Sequence, residues 1–177
     1  DSETATVTEG GTSSNLALLS GDTDAPDDPS GAGLQAAVVN GVALSSLTLQ
    51  SSGTYAGFYG IAGSNGTLHV KTDGTAYYVH NGSETTSDAF SYRARDGAGN
   101  LSNTATVALT ITPVDDTAPV ADSETATVAE GGTSSNLALL SGDTDAPDDP
   151  SGAGLQVAVV NGVALSSLTP QKIGRAH

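Results

Sequence analysis

Polar and apolar residues alternate along most of this chain, and nowhere do apolar positions recur at the three-to-four-residue spacing of a helix. Residues 4–8 (Thr-Ala-Thr-Val-Thr) predict a β-strand ending at Glu9-Gly10-Gly11, and the apolar run 16–19 predicts a second, closed by Gly21. Residues 34–39 and 42–44 flank Asn40-Gly41, a strong short hairpin signal. Residues 48–60, rich in Ser, Gly and Tyr, predict no definite element. Residues 67–71 alternate, turn at Asp73-Gly74 and continue as 76–79, a second hairpin, after which 81–88 reads as a polar loop. Phe90, Tyr92 and Ala94 share one face of the next strand, with Ser91, Arg93 and Arg95 on the other. A tight turn at 96–100 leads to a long last strand, 104–114, with Ala105, Val107, Leu109 and Ile111 on one face. Short strands separated by Gly and Asx turns predict an all-β fold, an antiparallel β-sandwich.

The pattern then starts again. Residues 1–48 return as 122–169 with two differences, Thr8/Ala129 and Ala36/Val157. A period this long is a whole small domain, not a solenoid repeat or a propeller blade. The expected organisation is a complete repeat over 1–114, a linker over 115–121 and the first half of a second repeat over 122–171. Near-identical tandem copies point to a longer array of like modules. After Thr169 the two copies diverge, and Ile173-Gly174-Arg175-Ala176-His177 is the translation of ATC GGA AGA GCA CAC, the start of a common sequencing adapter. Residues 172–177 are therefore read as an adapter-derived tail and set aside from fold reasoning. The other reading is real divergence of the second copy.

Charge narrows the function classes. The chain carries a net charge of -15, or -17 without Lys172 and Arg175 of the tail (-15 - 2). Binding to nucleic acid or an anionic membrane surface needs clusters of Lys and Arg, so neither is expected as a partner. Cations are. No stretch approaches the ~20 apolar residues of a membrane span, so membrane insertion is not expected. With no cysteine, disulfides and thiolate metal sites are excluded.

Several motifs together carry a family resemblance: Val7-Thr8-Glu9-Gly10, Gly21-Asp22-Thr23-Asp24, the hairpin from Gly66 to Gly74, the strand and turn from Asp88 to Gly97, and Val114-Asp115-Asp116-Thr117-Ala118-Pro119-Val120. In these the chain resembles a VCBS repeat, a bacterial immunoglobulin-like, cadherin-related module, over the first copy and the available half of the second. The resemblance implies a Greek-key immunoglobulin/cadherin-like sandwich. It also implies a secreted or cell-surface protein of a Gram-negative bacterium, often an adhesin exported by type I secretion, whose modules form a stalk. The same modules occur as spacers beside enzymes.

If strands alternate direction as in such a sandwich, carboxylates gather at its two poles. Glu9, Asp115 and Asp116 fall at one, and Asp22, Asp24 and Asp96 at the other. At a junction, the first pole would meet the next copy's Asp143 and Asp145. That many hard oxygen ligands suits Ca²⁺, which takes ~6–8 oxygens. The resemblance implies the same, because cadherin-like modules place calcium at their junctions. The acidic Leu-Asp-Arg-Glu element of true cadherins is absent here, which leaves the expected coordination shell short. The alternative is that the acidic loops are simply solvated and keep the protein soluble. An EF-hand is ruled out: counted from Asp22, its glycine falls on Asp27 and its terminal glutamate on Gly33. The Gly-rich nonapeptides of calcium-binding β-rolls are missing too.

Catalysis finds little support. His69 and His80 stand in strands with no recognisable triad context, and both are read as structural. The sequons at Asn65, Asn81 and Asn100 are what a Ser/Thr/Asn-rich chain yields by chance. Tyr55, Phe58 and Tyr59 form either an exposed sugar platform or, the preferred reading, a packed or covering loop. The expected function is a non-enzymatic extender of a large extracellular adhesin. Its partners would be neighbouring repeats and a host or biofilm surface glycan or protein. The competing expectation is a spacer or glycan-binding module of a secreted carbohydrate-active enzyme.

Overall fold

The computed structural model describes residues 1–25, 27, 30–146 and 154–167; the expected tail at 172–177 lies outside them. The fold is predominantly β and divides into two compact units, Asp1–Val114 and Asp115–His177. No helix among the described residues is long and apolar enough to cross a membrane.

The first unit holds eight strands: β1 (Glu3–Thr8), β2 (Gln35–Val39), β3 (Val42–Ala43), β4 (Tyr59–Ala62), β5 (Gly66–Val70), β6 (Ala76–His80), β7 (Ser87–Arg95) and β8 (Ala105–Thr112). They form a five-stranded sheet in the order β1-β8-β7-β2-β3 and a three-stranded sheet in the order β4-β5-β6. Residues from both sheets share one core: Val7, Val39, Phe90, Tyr92, Val107, Leu109 and Ile111 from the first, Ile61, Leu68, Val70, Ala76 and Tyr78 from the second.

One pairing corrects the expectation of a wholly antiparallel architecture. β1 runs parallel to β8, in a register that sets Ala5 beside Leu109 and Val7 beside Ile111. Both strands alternate with period two, so this register puts their apolar residues on one face, toward the core. Parallel neighbours need a long crossover, and the whole intervening chain supplies it here.

The Asn40-Gly41 turn forms as expected, with φ of 48° and 77°, both in the left-handed region that such tight hairpins require. Asn40 also fastens the hairpin to β7, its Oδ1 accepting the Ser91 N–H at 2.9 Å. The apolar run at 16–19 makes no regular strand. Ser13, Leu16 and Leu18 donate backbone N–H groups to Tyr78, Ala76 and Gly74, lying along β6. The ladder breaks at Ala17, whose φ is 45°, and the Asn15 side chain takes over as acceptor for the Ala76 N–H at 3.1 Å. Leu16 and Leu18 are buried all the same. β4 was not expected at all, because Gly60 interrupts the alternation that would have announced it.

The second unit contains the hairpin β9 (Val159–Val160) and β10 (Val163–Ala164), with Asn161 and Gly162 again at positive φ. Residues 124–129, which match β1 in sequence except at Ala129, form no strand. Val128, Leu137, Leu139 and Leu165 stay exposed, whereas their first-copy counterparts Val7, Leu16, Leu18 and Leu44 are buried. The reason is the missing counterface: nothing corresponding to β5–β8 follows in the described residues of this unit.

Candidate functional site

A carboxylate-rich corner forms where the start of each copy meets its Gly-Asp-Thr-Asp segment. In the first unit the amino group of Asp1 donates to Asp22 Oδ1 at 2.5 Å. The Tyr92 hydroxyl lies 3.0 Å from the Asp1 carbonyl oxygen and 3.1 Å from Asp22 Oδ2, so its single proton serves both acceptors. Burial first, then the Asp22 carboxylate, push the Tyr92 pKa up. Glu3 stands nearby on β1, and burial followed by repulsion from Asp22 raises its pKa, with the amino terminus acting against them.

The second unit rebuilds this corner without the tyrosine. The Asp122 N–H donates to Asp143 Oδ1 at 2.9 Å, and oxygens of Asp122, Glu124 and Asp143 lie within 4.8 Å of one another. Burial, a hydrogen bond to Asp122 and the charges of Asp122 and Asp143 push the Glu124 pKa up, in that order. Glycine is required at the corner in both copies. Gly21 and Gly142 have φ of 80° and 90°, and a Cβ on either would stand 2.6 and 2.5 Å from an oxygen of Asp1 and Asp122.

Glu9 directly follows β1 and is the most deeply buried of the expected ligands, 8% exposed. Its Oε2 accepts the Val114 N–H at 3.2 Å, while Oε1 is buried without a hydrogen-bond partner. The Glu84 carboxylate reaches within 4.8 Å of it.

The other expected ligands fare differently. Asp24 is half-buried and joins no group of three ligating side chains among the described residues. Asp96 spends both carboxylate oxygens on its own turn, accepting from the Asn100 N–H and side-chain amide at 2.7 Å each. The Asn100 side chain is the main cause of its lowered pKa. Asp115 and Asp116 are exposed at the start of the second unit, and Asp145 is buried. The structure therefore gathers Asp143 with Asp122 and Glu124, and Glu9 with Glu84. Asp122, Glu124 and Glu84 were not legible as ligands: Asp122 and Glu124 open an extended segment, and Glu84 is an isolated acid in a polar loop. The Asp-Ser-Glu spacing at 122–124 was the available signal, since alternate residues of an extended segment share a side.

The histidines are tied into the fold. His80 Nδ1 accepts from the Gly10 and Gly82 N–H groups at 3.0 and 3.2 Å, leaving its ring proton on Nε2, 3.1 Å from Thr85 Oγ1. His69 is buried under Tyr55, and that burial lowers its pKa. Tyr78 donates to Asp88 Oδ2 at 2.9 Å, and burial is the first cause of its raised pKa. The chain matches no protein-family model, and comparison with curated proteins likewise finds no match.

Proposed function

We propose that this chain is part of a repeat array that acts as a mechanical extender in a large extracellular bacterial adhesin, stiffened by calcium where one repeat follows another. In this reading the module is VCBS-like, its two sheets are the layers of a Greek-key immunoglobulin/cadherin-like sandwich, and its role is structural, not catalytic.

The observation that carries the calcium part is the convergence of Asp122, Glu124 and Asp143 within 4.8 Å, directly after the Asp-rich linker. Three carboxylates this close repel one another unless a proton or a cation intervenes. Their all-oxygen donor set fits the hard, flexible coordination of Ca²⁺. The buried, unpaired Glu9 oxygen is a second carboxylate that lacks a counter-charge.

The test is a calcium titration of the chain followed by NMR. Saturable shifts in the millimolar range at Asp122, Glu124 and Asp143, lost in Asp143→Asn, are the expected result. Amide shifts that stay linear in calcium would sink this reading.

A further inference from the structure

The segment 50–58 closes on itself. The Gln50 N–H donates to the Phe58 carbonyl at 2.9 Å, and the Gly57 N–H returns to the Gln50 carbonyl at 2.8 Å. Compact self-closed surface loops of this sort are frequent carriers of function. This one lies on the side of the three-stranded sheet turned away from the core, where His69 and Tyr77 are cross-strand neighbours. The Tyr55 ring stacks on His69, centroids 3.7 Å apart and planes 7° apart. One face of Tyr55 is thus spent on His69, and the opposite face is turned away from the sheet. Phe58 meets Tyr55 edge-on at 6.0 Å and lies 5.8 Å from Tyr77, and the Lys71 ammonium sits 4.5 Å from the Phe58 centroid.

Tyr55, Phe58, Tyr77 and Lys71 line a cleft of about 480 Å³, together with Thr12, Ser13, Thr54 and Thr75. Lys71 is the single lysine among the described residues. The one ion pair among those residues is Asp1 with Asp22, so Lys71 is committed to no carboxylate. Asp73 feels the Lys71 charge, but one of its oxygens is held by the Thr75 N–H at 2.9 Å. A preorganised cation beside aromatic faces, in a chain of net charge -15, is complementary to a ligand that is anionic at one point and apolar over a flat area. Thr12 and Thr54, also lining the cleft, carry hydroxyls that complement those of such a ligand.

We propose that this cleft binds an acidic sugar, a hexuronate unit of a polysaccharide. The C–H face of its pyranose ring lies on the outward face of Tyr55, and its carboxylate meets Lys71. Tyr77 and the threonine hydroxyls flank the ring. Tyr59, grouped with Tyr55 in sequence, is not part of the cleft. The assignment stands apart from the extender reading, because neither the acidic corner nor calcium enters it.

The test uses the chain in EDTA, which removes calcium bridging of uronates and so keeps this result separable from the calcium titration. The probes are trigalacturonate and its methyl ester, followed by NMR. Saturable amide shifts around Tyr55, Lys71 and Tyr77 are expected with the acid, and binding of the ester should be weaker by about tenfold. Lys71→Gln, a half-exposed change that leaves the core alone, should abolish that preference without altering ester binding. Tyr55→Leu should weaken both ligands, with melting temperature as the check on folding. No saturable binding of the acid overturns the proposal. Equal binding of acid and ester, or an unchanged Lys71→Gln profile, also overturns it, and would make the cleft a site for neutral glycan. Saturable binding of a carboxyl-terminal tetrapeptide but not of the sugar would instead make it a peptide site.

Discussion

Asp122 holds Asp143 through an N–H···O bond of 2.9 Å, as Asp1 holds Asp22 at 2.5 Å in the first copy. The contact forms in the second copy although the apolar residues around it stay exposed, so it is a local property of the Asp-Ser-Glu and Gly-Asp-Thr-Asp segments and not a product of the core.

The corner depends on glycine. Gly142→Ala is expected to abolish the proposed calcium response, because its φ of 90° strains any L residue and the new methyl would strike the Asp122 carboxylate. Calcium titration by NMR measures it directly, and a response equal to that of the parent chain would falsify the assignment of the corner.

Identical residues in the two copies should differ sharply in energetic worth. Leu18 is 0% exposed and its counterpart Leu139 is 43% exposed. Leu18→Ala should cost about 2–5 kcal/mol, the range for emptying a buried leucine site. Leu139→Ala should change stability by no more than about 0.5 kcal/mol. Urea unfolding of the two variants decides it, and equal losses would show that the second copy is packed.

Glu3 gives a pH signature. Its pKa is raised in the fold, chiefly by burial, so the folded state favours the protonated form. Its contribution to stability is therefore fully present below the ordinary carboxylate range and is lost as pH rises through its raised value. Asp73 and Asp96 have lowered pKa values, from the Thr75 N–H and the Asn100 side chain respectively, and act with the opposite sign. Comparing Glu3→Gln with the parent isolates the effect: the variant should gain relative stability between acid and neutral pH, by less than about 1 kcal/mol for a half-buried group still screened by solvent. A parent-minus-variant difference that stays flat across that range would contradict the electrostatic account.

Amide exchange should separate the hairpins. The Asn40-Gly41 hairpin is anchored to β7 and backed by the buried Val39, whereas in the second copy the matching Val160 is 42% exposed. An isolated hairpin is marginal in water. Val160 is expected to exchange at least about a hundredfold faster than Val39; comparable protection of the two would contradict it.

Much of the fold was legible in the sequence where one face of a strand is buried. The alternation of Phe90, Tyr92 and Ala94, and of Ala105, Val107, Leu109 and Ile111, matches buried positions directly. Legibility failed where side chains replace the backbone pattern, as at Asn15 and Ala17, or where glycine hides it. In β4 and its neighbourhood glycine answers to space: a Cβ at Gly63 would lie 2.4 Å from the Phe90 ring, a constraint set by a residue distant in sequence. Of the site, Asp22 and Asp143 were legible because they lie in conspicuous acidic loops. Glu3, Glu124 and Glu84 were not, since a single acid in a strand, an extended segment or a polar loop reads as ordinary solvent-facing polarity until its neighbours are known.

The parallel pairing of β1 with β8 decides how the first unit bears load. The chain enters at the start of β1 and leaves beyond the end of β8, at opposite ends of a six-position ladder. A pull on residues 1 and 114 therefore drags the two strands past each other along their own axes. The backbone bonds of that ladder are stretched together, in shear, instead of opening one after another like a zip. Rupture should come as one abrupt event at a force well above that of a hairpin peeled from its end, and single-molecule pulling would show a low, stepwise release if the terminal strands did not share the strain.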